Sequence, residues 1–534
     1  MSVVHPALAG TGTLVRFALR RDRVRLPVWV AVAAGLVAEQ SLGSQALYDS
    51  PAALAAYRAS VGSSAAAIAF SGPPVGLTTT AGAVAFEISG SLMIVVALMA
   101  MFTTGRHSRA DEEAGRTELV RSARVGRHAP LMAAVAVSSL ACVATALAIG
   151  VAATATGLPA RGSFLLGASA AACGLVFTGV AAVAAQVSES TRSMYGLVGA
   201  VLGIAFVLRA IGDINGSALV WASPIGWAQA THPYSGDRWW PLLLCVAVTG
   251  ALLAGAVALL DHRDLAAGLL SGRAGAPAAG RMLGSPLGLA VRLQRAALVA
   301  WTVGLGLLGA VYGGLGDAVE TLFKDNEQAK VFFPGMSSAG LVDAYLATIF
   351  SIQALLAAAF AVSSVLRART EETSGRAEPV LATATSRTAW LGSHVTVALL
   401  GSGLLVAVSG AATALVRAAS SGDSGSFGRL FVASLAYVPA VWVVAGAAVA
   451  LVGIAPRAAA SVAWAVVAYV VIVAMFATGL GWPAWVSDLS PFAWTPLVPI
   501  ESWTTTAVVG LVVAAGGLLA VGFGAFRRRD LTTA

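Results

Sequence analysis

Apolar runs of about twenty residues recur along the chain, separated by short polar segments rich in arginine. A helix needs roughly 20 apolar residues to cross the hydrocarbon core of a bilayer. On that measure the pattern predicts spans near 26–43, 83–104, 129–157, 162–187, 193–212 and 240–261, then near 289–313, 340–366, 389–416, 430–455, 458–480 and 503–526. Twelve spans make an all-α polytopic membrane protein. Ahead of the first, Leu14 to Arg25 mixes Leu, Val and Phe with five arginines, a pattern that fits an amphipathic helix lying in the interface and equally a basic anchor for the first span.

The polar segments give the orientation. With the N-terminus inside, the cytoplasmic segments hold 25 of the 33 basic residues. Eight remain outside: Arg58, Arg161, Arg209, Arg238, Lys324, Lys330, Arg417 and Arg429. Positive charge marks the cytoplasmic side, so both termini are expected there, in the plasma (inner) membrane of a bacterium. Tryptophans agree: Trp221, Trp227, Trp239, Trp240, Trp482, Trp485 and Trp503 gather at the expected outer rim, and Trp29, Trp301 and Trp390 at the inner one.

The segment from Arg109 to Val120 recurs from Arg369 to Val380. Arg109, Glu112, Gly115, Arg116, Glu118, Val120 and Arg127 all match residues 260 positions later. Ser223-Pro224 with Trp227 returns as Ser490-Pro491 with Trp494. His262-Arg263-Asp264-Leu265 returns as Arg528-Arg529-Asp530-Leu531. The reading is a duplication: a first six-span half over 1–265, a cytoplasmic linker over 266–288 and a second half over 289–534. An even number of spans per half gives both the same orientation.

Composition then narrows the chemistry. Only 11% of the residues are charged and mean hydropathy is +0.82, against about 25% charged in soluble domains. Cys142, Cys173 and Cys245 sit apart in apolar runs and read as small buried hydrophobes. The pI near 9.9 follows topology and gives no single face for nucleic acid. A phosphate-binding P-loop needs a lysine followed by Ser or Thr. The chain's two lysines are followed by Asp325 and Val331, so ATP hydrolysis by that route is excluded, and no other enzyme motif stands out.

Charges inside the spans are few. Glu87 lies a turn inside the second span, where a substrate or proton role is one reading. Asp343 reads as a helix-start residue. Phe86, Phe206, Gln353, Trp464 and Tyr469 are candidates to line a pathway, with plain packing as the competing reading. The long outer loops 44–82 and 314–339, with Phe70, Phe332 and Phe333, are expected to pack on the outer mouth. The Ser-Pro-x-x-Trp segments suit re-entrant turns that close the exit and equally plain surface loops.

The two repeated loops between second and third spans carry a Glu four residues before an Arg, Glu112 to Arg116 and Glu372 to Arg376, the order that favours a helical ion pair. Topology alone would require the arginines and no repeated glutamate, so a shared docking role is the better reading.

These loops, the twelve-span duplication and the terminal Arg-Asp-Leu resemble ABC-2-type (type V) export permeases. More narrowly, the chain resembles the fused actinobacterial permeases of the tetronasin and polyketide-antibiotic exporter type, which include mycobacterial multidrug efflux permeases. The resemblance implies that the loops are coupling helices seated in ATPase subunits. It assigns that role to Arg109, Asp111, Glu112, Gly115, Arg116 and Glu118, and to Arg369, Glu371, Glu372, Gly375, Arg376 and Glu378. The second copy departs at Thr373 and Pro379. It further implies two copies of a separately encoded ATPase that bind ATP and Mg, no cofactor in this chain, and export of hydrophobic or amphipathic compounds such as antibiotics, drugs or lipids by alternating access. A proton-coupled secondary transporter is the alternative, resting on Glu87. A scaffold or sensor would need a soluble domain, and no segment is long and polar enough to form one.

Overall fold

The computed structural model describes residues 6–62, 64–263, 278–316, 338–477, 482–501 and 504–530. Lys324, Lys330, Phe332, Phe333, Trp503, Asp264, Leu265, Leu531 and the linker up to residue 277 lie outside the described residues. Among the described residues there is no strand. Internal contacts divide the chain into two units, Met1–Ala274 and Gly275–Ala534.

In the first unit the apolar runs form α2 (Arg25–Leu47), α5 (Thr80–Arg106), α8 (Ala129–Ala155), α9 (Ala160–Val187), α10 (Thr191–Asn215) and α12 (Pro241–Asp261), close to the expected spans. Their starts carry local signals. Thr79 and Ser190 side chains accept hydrogen bonds from backbone N–H groups of the first turns of α5 and α10, and prolines open α8 and α12. α9 is the hub: it packs on α5, α8, α10 and α12, while α2 and α12 leave most of their surface open.

Short helices complete this unit. The amphipathic α1 (Thr11–Arg21) ends at Asp22 and does not run on to Arg25. Asp22 is buried and takes Arg106 Nε at 2.9 Å and His107 Nε2 at 2.6 Å, so the chain turns there to reach the end of α5. The outer loop 44–82 folds into α3 (Pro51–Val61) and α4 (Ala65–Ser71), and α4 packs on α5 and α10. The Ser-Pro-x-x-Trp segment becomes α11 (Pro224–Gln229), with Ser223 accepting from Ile225 N and Gly226 N and Trp227 Nε1 donating to Trp221 O at 2.7 Å.

The second unit holds α13 (Pro286–Gly314), α14 (Ser338–Thr373), α15 (Ala377–Leu381), α16 (Arg387–Ser421), α17 (Ser426–Leu435), α18 (Val438–Ile454), α19 (Ala459–Phe476), α20 (Ala484–Asp488) and α21 (Thr505–Arg528). α13 packs along α16, α18 along α21, and α14 bridges the two pairs. Trp494 Nε1 donates to Asp488 O at 2.8 Å, repeating the six-residue reach of Trp227.

Among the described residues, eleven helices are long and apolar enough to cross a membrane, by length and composition, with Ser426–Ile454 (α17 and α18) counted as one. The run expected at 458–480 is the shorter α19. The run expected at 430–455 breaks at Ala436–Tyr437, where Pro439 withholds a backbone donor from the first turn of α18.

Candidate functional site

The first repeated loop follows α5 as two short helices, α6 (Arg109–Glu113) and α7 (Arg116–Arg121). Gly115 joins them at φ +71°, a left-handed conformation that costs a side chain with a Cβ. This elbow breaks the expected pairing: Glu112 and Arg116 are four apart but no longer share a helix face. Arg116 turns to Asp111 instead (2.7 Å), and Arg21 of α1 reaches both Asp111 oxygens at 2.8 Å.

Glu112 points inward. One carboxylate oxygen takes Arg109 Nη1 at 2.6 Å, and the other takes Arg263 Nη2 at 2.6 Å. Arg109 is 1% exposed, and Arg263, just past α12, also donates from Nε to Gln186 Oε1 at 2.7 Å near the end of α9. Arg127 closes the cluster by donating to Leu260 O at 2.9 Å and Asp261 O at 3.1 Å. Glu113 accepts from Thr191 N at 3.0 Å, tying in the start of α10. The base of the elbow is thus bolted to α1, α9, α10 and α12.

The second elbow repeats the clamp with other details. α14 runs unbroken to Thr373, Gly375 adopts φ +70°, and α15 follows. Glu372, 2% exposed, takes Arg369 Nη1 at 3.1 Å and a two-pronged pair from Arg529, 2.6 and 2.7 Å. Arg369 Nε donates to Pro456 O at 3.0 Å, and Arg387 donates to Arg529 O at 2.7 Å. Glu371 pairs with Arg367 at 2.8 Å and, at 3.8 Å, with Arg376; again the Glu372 to Arg376 pairing is not made.

Of the twelve residues picked for docking, Arg109, Glu112, Glu371 and Glu372 shape the elbows from within. Arg116, Glu118, Arg376 and Glu378 face outward, beside Leu119 (77% exposed) and Pro379. Arg263 and Arg529 escaped the sequence reading as site residues. Their signal was present in the recurring Arg-Asp-Leu, but nothing in the pattern linked it to the elbow.

A family model described as "Multidrug efflux system permease Rv1217c, C-terminal domain" matches residues 283–527, a segment that includes the second elbow. The multidrug efflux system permease protein Rv1217c of Mycobacterium tuberculosis (strain ATCC 25618 / H37Rv) is 41% identical over 532 residues, which cover 99% of this chain and 96% of the relative. The chain belongs to the Rv1217c family of efflux permeases.

A member of the Rv1217c family needs a pathway, and the candidates picked for one are scattered. Neighbours Phe86 and Glu87 point different ways. Phe86 is buried in a cleft with Met93, Leu166 and Gln229, while Glu87 accepts from Gln40 Nε2 (2.7 Å), Ser44 Oγ (2.6 Å) and Tyr48 OH (2.8 Å) and so ties α2 to α5. Phe206 lies under the Arg209 guanidinium, 4.6 Å away. In the second unit Gln353 donates to Thr413 Oγ1 at 2.9 Å, the Tyr469 hydroxyl donates to Val486 O, and Trp464 is exposed. Asp343 makes a two-pronged pair with Arg429, 2.9 and 3.1 Å, in place of a simple helix-start role.

One intramembrane charge was missed. Arg209, assigned to an outer loop by sequence, is a residue of α10 with no exposed surface. It donates to Ile68 O (3.2 Å) and Phe70 O (3.3 Å) at the end of α4, where Ile68 O also accepts from Gly72 N, and meets Asp213 at 3.5 Å. Gln229 donates to Ser71 O at 2.7 Å beside it. An arginine and an aspartate four apart at the end of an apolar run was the available signal.

Proposed function

We propose that this Rv1217c-family permease is the membrane subunit of an ATP-driven exporter of the ABC-2 type. One chain supplies both halves of the pathway, twelve spans from a duplicated six-span unit, and pairs with two copies of a separately encoded ATPase. Those partners bind ATP and Mg. They seat on the exposed faces of α7 and α15 at the cytoplasmic side of the plasma membrane, where both termini lie. The observation that carries this reading is the pair of elbows. Each presents a short helix outward on a base bolted by an inward-pointing glutamate to the arginine that follows the unit's last long helix. A push on such a helix is transmitted to several spans at once, because packed elements shift as units. Alternating access then moves cargo outward. The spans offer few charges to hold a polar cargo, so it is hydrophobic or amphipathic, and the relative's multidrug name points the same way.

The inward placement of Glu112 and Glu372, each held by two arginines, decides which residues test docking. Reversing them would break the clamp itself, whereas Glu118 and Glu378 lie on the presented face. The detergent-solubilised chain, pulled from its native host, should retain a nucleotide-binding protein at two copies per chain. Glu118→Arg with Glu378→Arg should lose it while keeping the same thermal stability. If no ATPase accompanies the wild-type chain under conditions that hold other membrane complexes together, this reading fails and an ATP-independent transporter replaces it.

A further inference from the structure

Three elements of the first unit, α2, α5 and α10, leave a cleft of about 490 Å³ at the elbow end of the bundle. α2 and α10 both pack on α5, and the cleft opens between them. Its floor is aromatic. Trp29 and Phe102 lie near-parallel with centroids 6.4 Å apart, and Tyr195 meets Phe102 edge-on at 5.2 Å. Gly105 makes room for Tyr195, since a Cβ there would come within 2.4 Å of the ring. Val28 and Phe102 remain exposed and make an apolar strip along the cleft.

The rim is cationic. Arg25 and Arg106 both line the cleft, together with Tyr195. Arg106 is steadied through Nε by Asp22, whose other oxygen is taken by His107. Arg25 is exposed and forms no ion pair among the described residues. Arginine on the cytoplasmic side is expected for topology alone, but topology asks for no cleft and no aromatic floor. Nor does the repeat supply them twice: 260 positions after Phe102 and Arg106 stand Val362 and Leu366.

We propose that this cleft holds an anionic phospholipid of the adjacent leaflet, its phosphate between Arg25, Arg106 and the Tyr195 hydroxyl and one acyl chain along Val28, Trp29 and Phe102. Charge complementarity selects this occupant. Basic pockets between membrane helices on the cytoplasmic side take anionic headgroups, and the exposed apolar strip beside the rim takes a chain. The proposal requires only that the chain sits in a bilayer, so a failed search for an ATPase leaves it standing.

The test is native mass spectrometry of the delipidated full chain, titrated with phosphatidylglycerol and, separately, phosphatidylcholine. Phosphatidylglycerol should bind first and more tightly. Arg25→Gln should weaken that first binding about fivefold, the effect of one arginine near a charged headgroup. It should leave phosphatidylcholine unchanged. Arg295→Gln, the same charge change on α13, should have no effect. A photoactivatable phosphatidylglycerol on the wild-type chain should label residues 24–29 and 102–106, a readout independent of whether the variant folds. Equal binding of the two lipids, an Arg25→Gln chain that binds like wild type, or labelling confined elsewhere would overturn the proposal. Tight binding of glycerol phosphate without chains would overturn it in favour of a simple anion site. Uptake of dodecyl sulfate with exclusion of phosphatidylglycerol would overturn it in favour of anionic cargo.

Discussion

Replacing Glu372 by Gln removes one charge from the second clamp and almost no volume. In the native site both carboxylate oxygens serve Arg529, at 2.6 and 2.7 Å, and one also serves Arg369 at 3.1 Å. An amide keeps one acceptor and turns an N–H group toward a guanidinium that can only donate. Two arginines then face each other in a buried place without their anion. Breaking a buried pair from one side costs about 3–5 kcal/mol, and Arg529 keeps some exposure, so the lower end applies, about 3 kcal/mol. For a unit of this size 1 kcal/mol moves Tm by about 2–4 °C, giving a drop of about 6–12 °C. Heating in detergent at a fixed rate, followed by size-exclusion of the surviving monodisperse protein, reads it. Glu378→Gln, on the exposed face, is the control and should stay within about 0.5 kcal/mol of wild type. Adding Arg529→Gln to Glu372→Gln should cost less than the sum of the two by about 1 kcal/mol or more, since the residues touch. A Glu372→Gln chain that melts with wild type, or two costs that simply add, would refute the clamp as a stabilising element.

Arg209→Met should remove the side-chain donor that ties Ile68 O and Phe70 O to α10 and take the arginine away from Asp213, at about 1–3 kcal/mol for the carboxylate left without it. Hydrogen exchange over residues 64–72 should rise sharply, and Arg209→Met with Asp213→Asn should recover part of the loss; unchanged protection there would sink the assignment. His232, in the turn after α11, is held below its ordinary value by burial and by Arg238. The unfolded chain therefore takes the proton first as pH falls through about 6.5, and stability drops with acid below that point. The Tm lost between pH 7.5 and pH 5 should be smaller in His232→Gln than in wild type, and an identical loss would contradict the burial of a neutral imidazole.

Most spans were legible because a bilayer imposes one strong, local rule on residue type. The two elbows were legible as a repeat, down to the glycines whose positive φ allows the bend. What the sequence hid was contact at a distance. Glu112 and Arg263 lie 151 positions apart and Glu372 and Arg529 lie 157 apart. Both members of each pair were recognised as recurring, yet no periodicity says that the end of a unit's last helix returns to its first elbow. The predicted Glu112–Arg116 pairing failed for a local reason, because the glycine between them swings the second helix away. Arg209 was misplaced because an arginine near the end of an apolar run looks like an interfacial one until α4 is seen folding back to meet it. Glu87 looked like a lone intramembrane charge because its partners are hydroxyls and an amide, groups that leave no charge pattern to read.

The clamps also differ in a way that bears on how the two elbows respond to load. In the first, Glu112 splits its oxygens between Arg109 and Arg263, Gln186 steadies Arg263, and Arg21 of α1 takes Asp111. α5 is itself interrupted after Arg106, where Asp22 ties it to the turn before α2. A displacement of α7 is therefore shared among the N-terminal helix, α9 and α12. In the second, α14 continues without a break into the elbow, Arg367 of the same helix takes Glu371, and Arg529 gives both nitrogens to Glu372. Here the path from α15 runs mainly along one continuous helix and into α21. A two-pronged arginine pair fixes orientation as well as distance, which a pair through single atoms does not. The second elbow is accordingly the stiffer lever and the first the more distributed one. The repeated glutamate anchors both elbows, and under the proposed docking the residues around it set how far each push spreads.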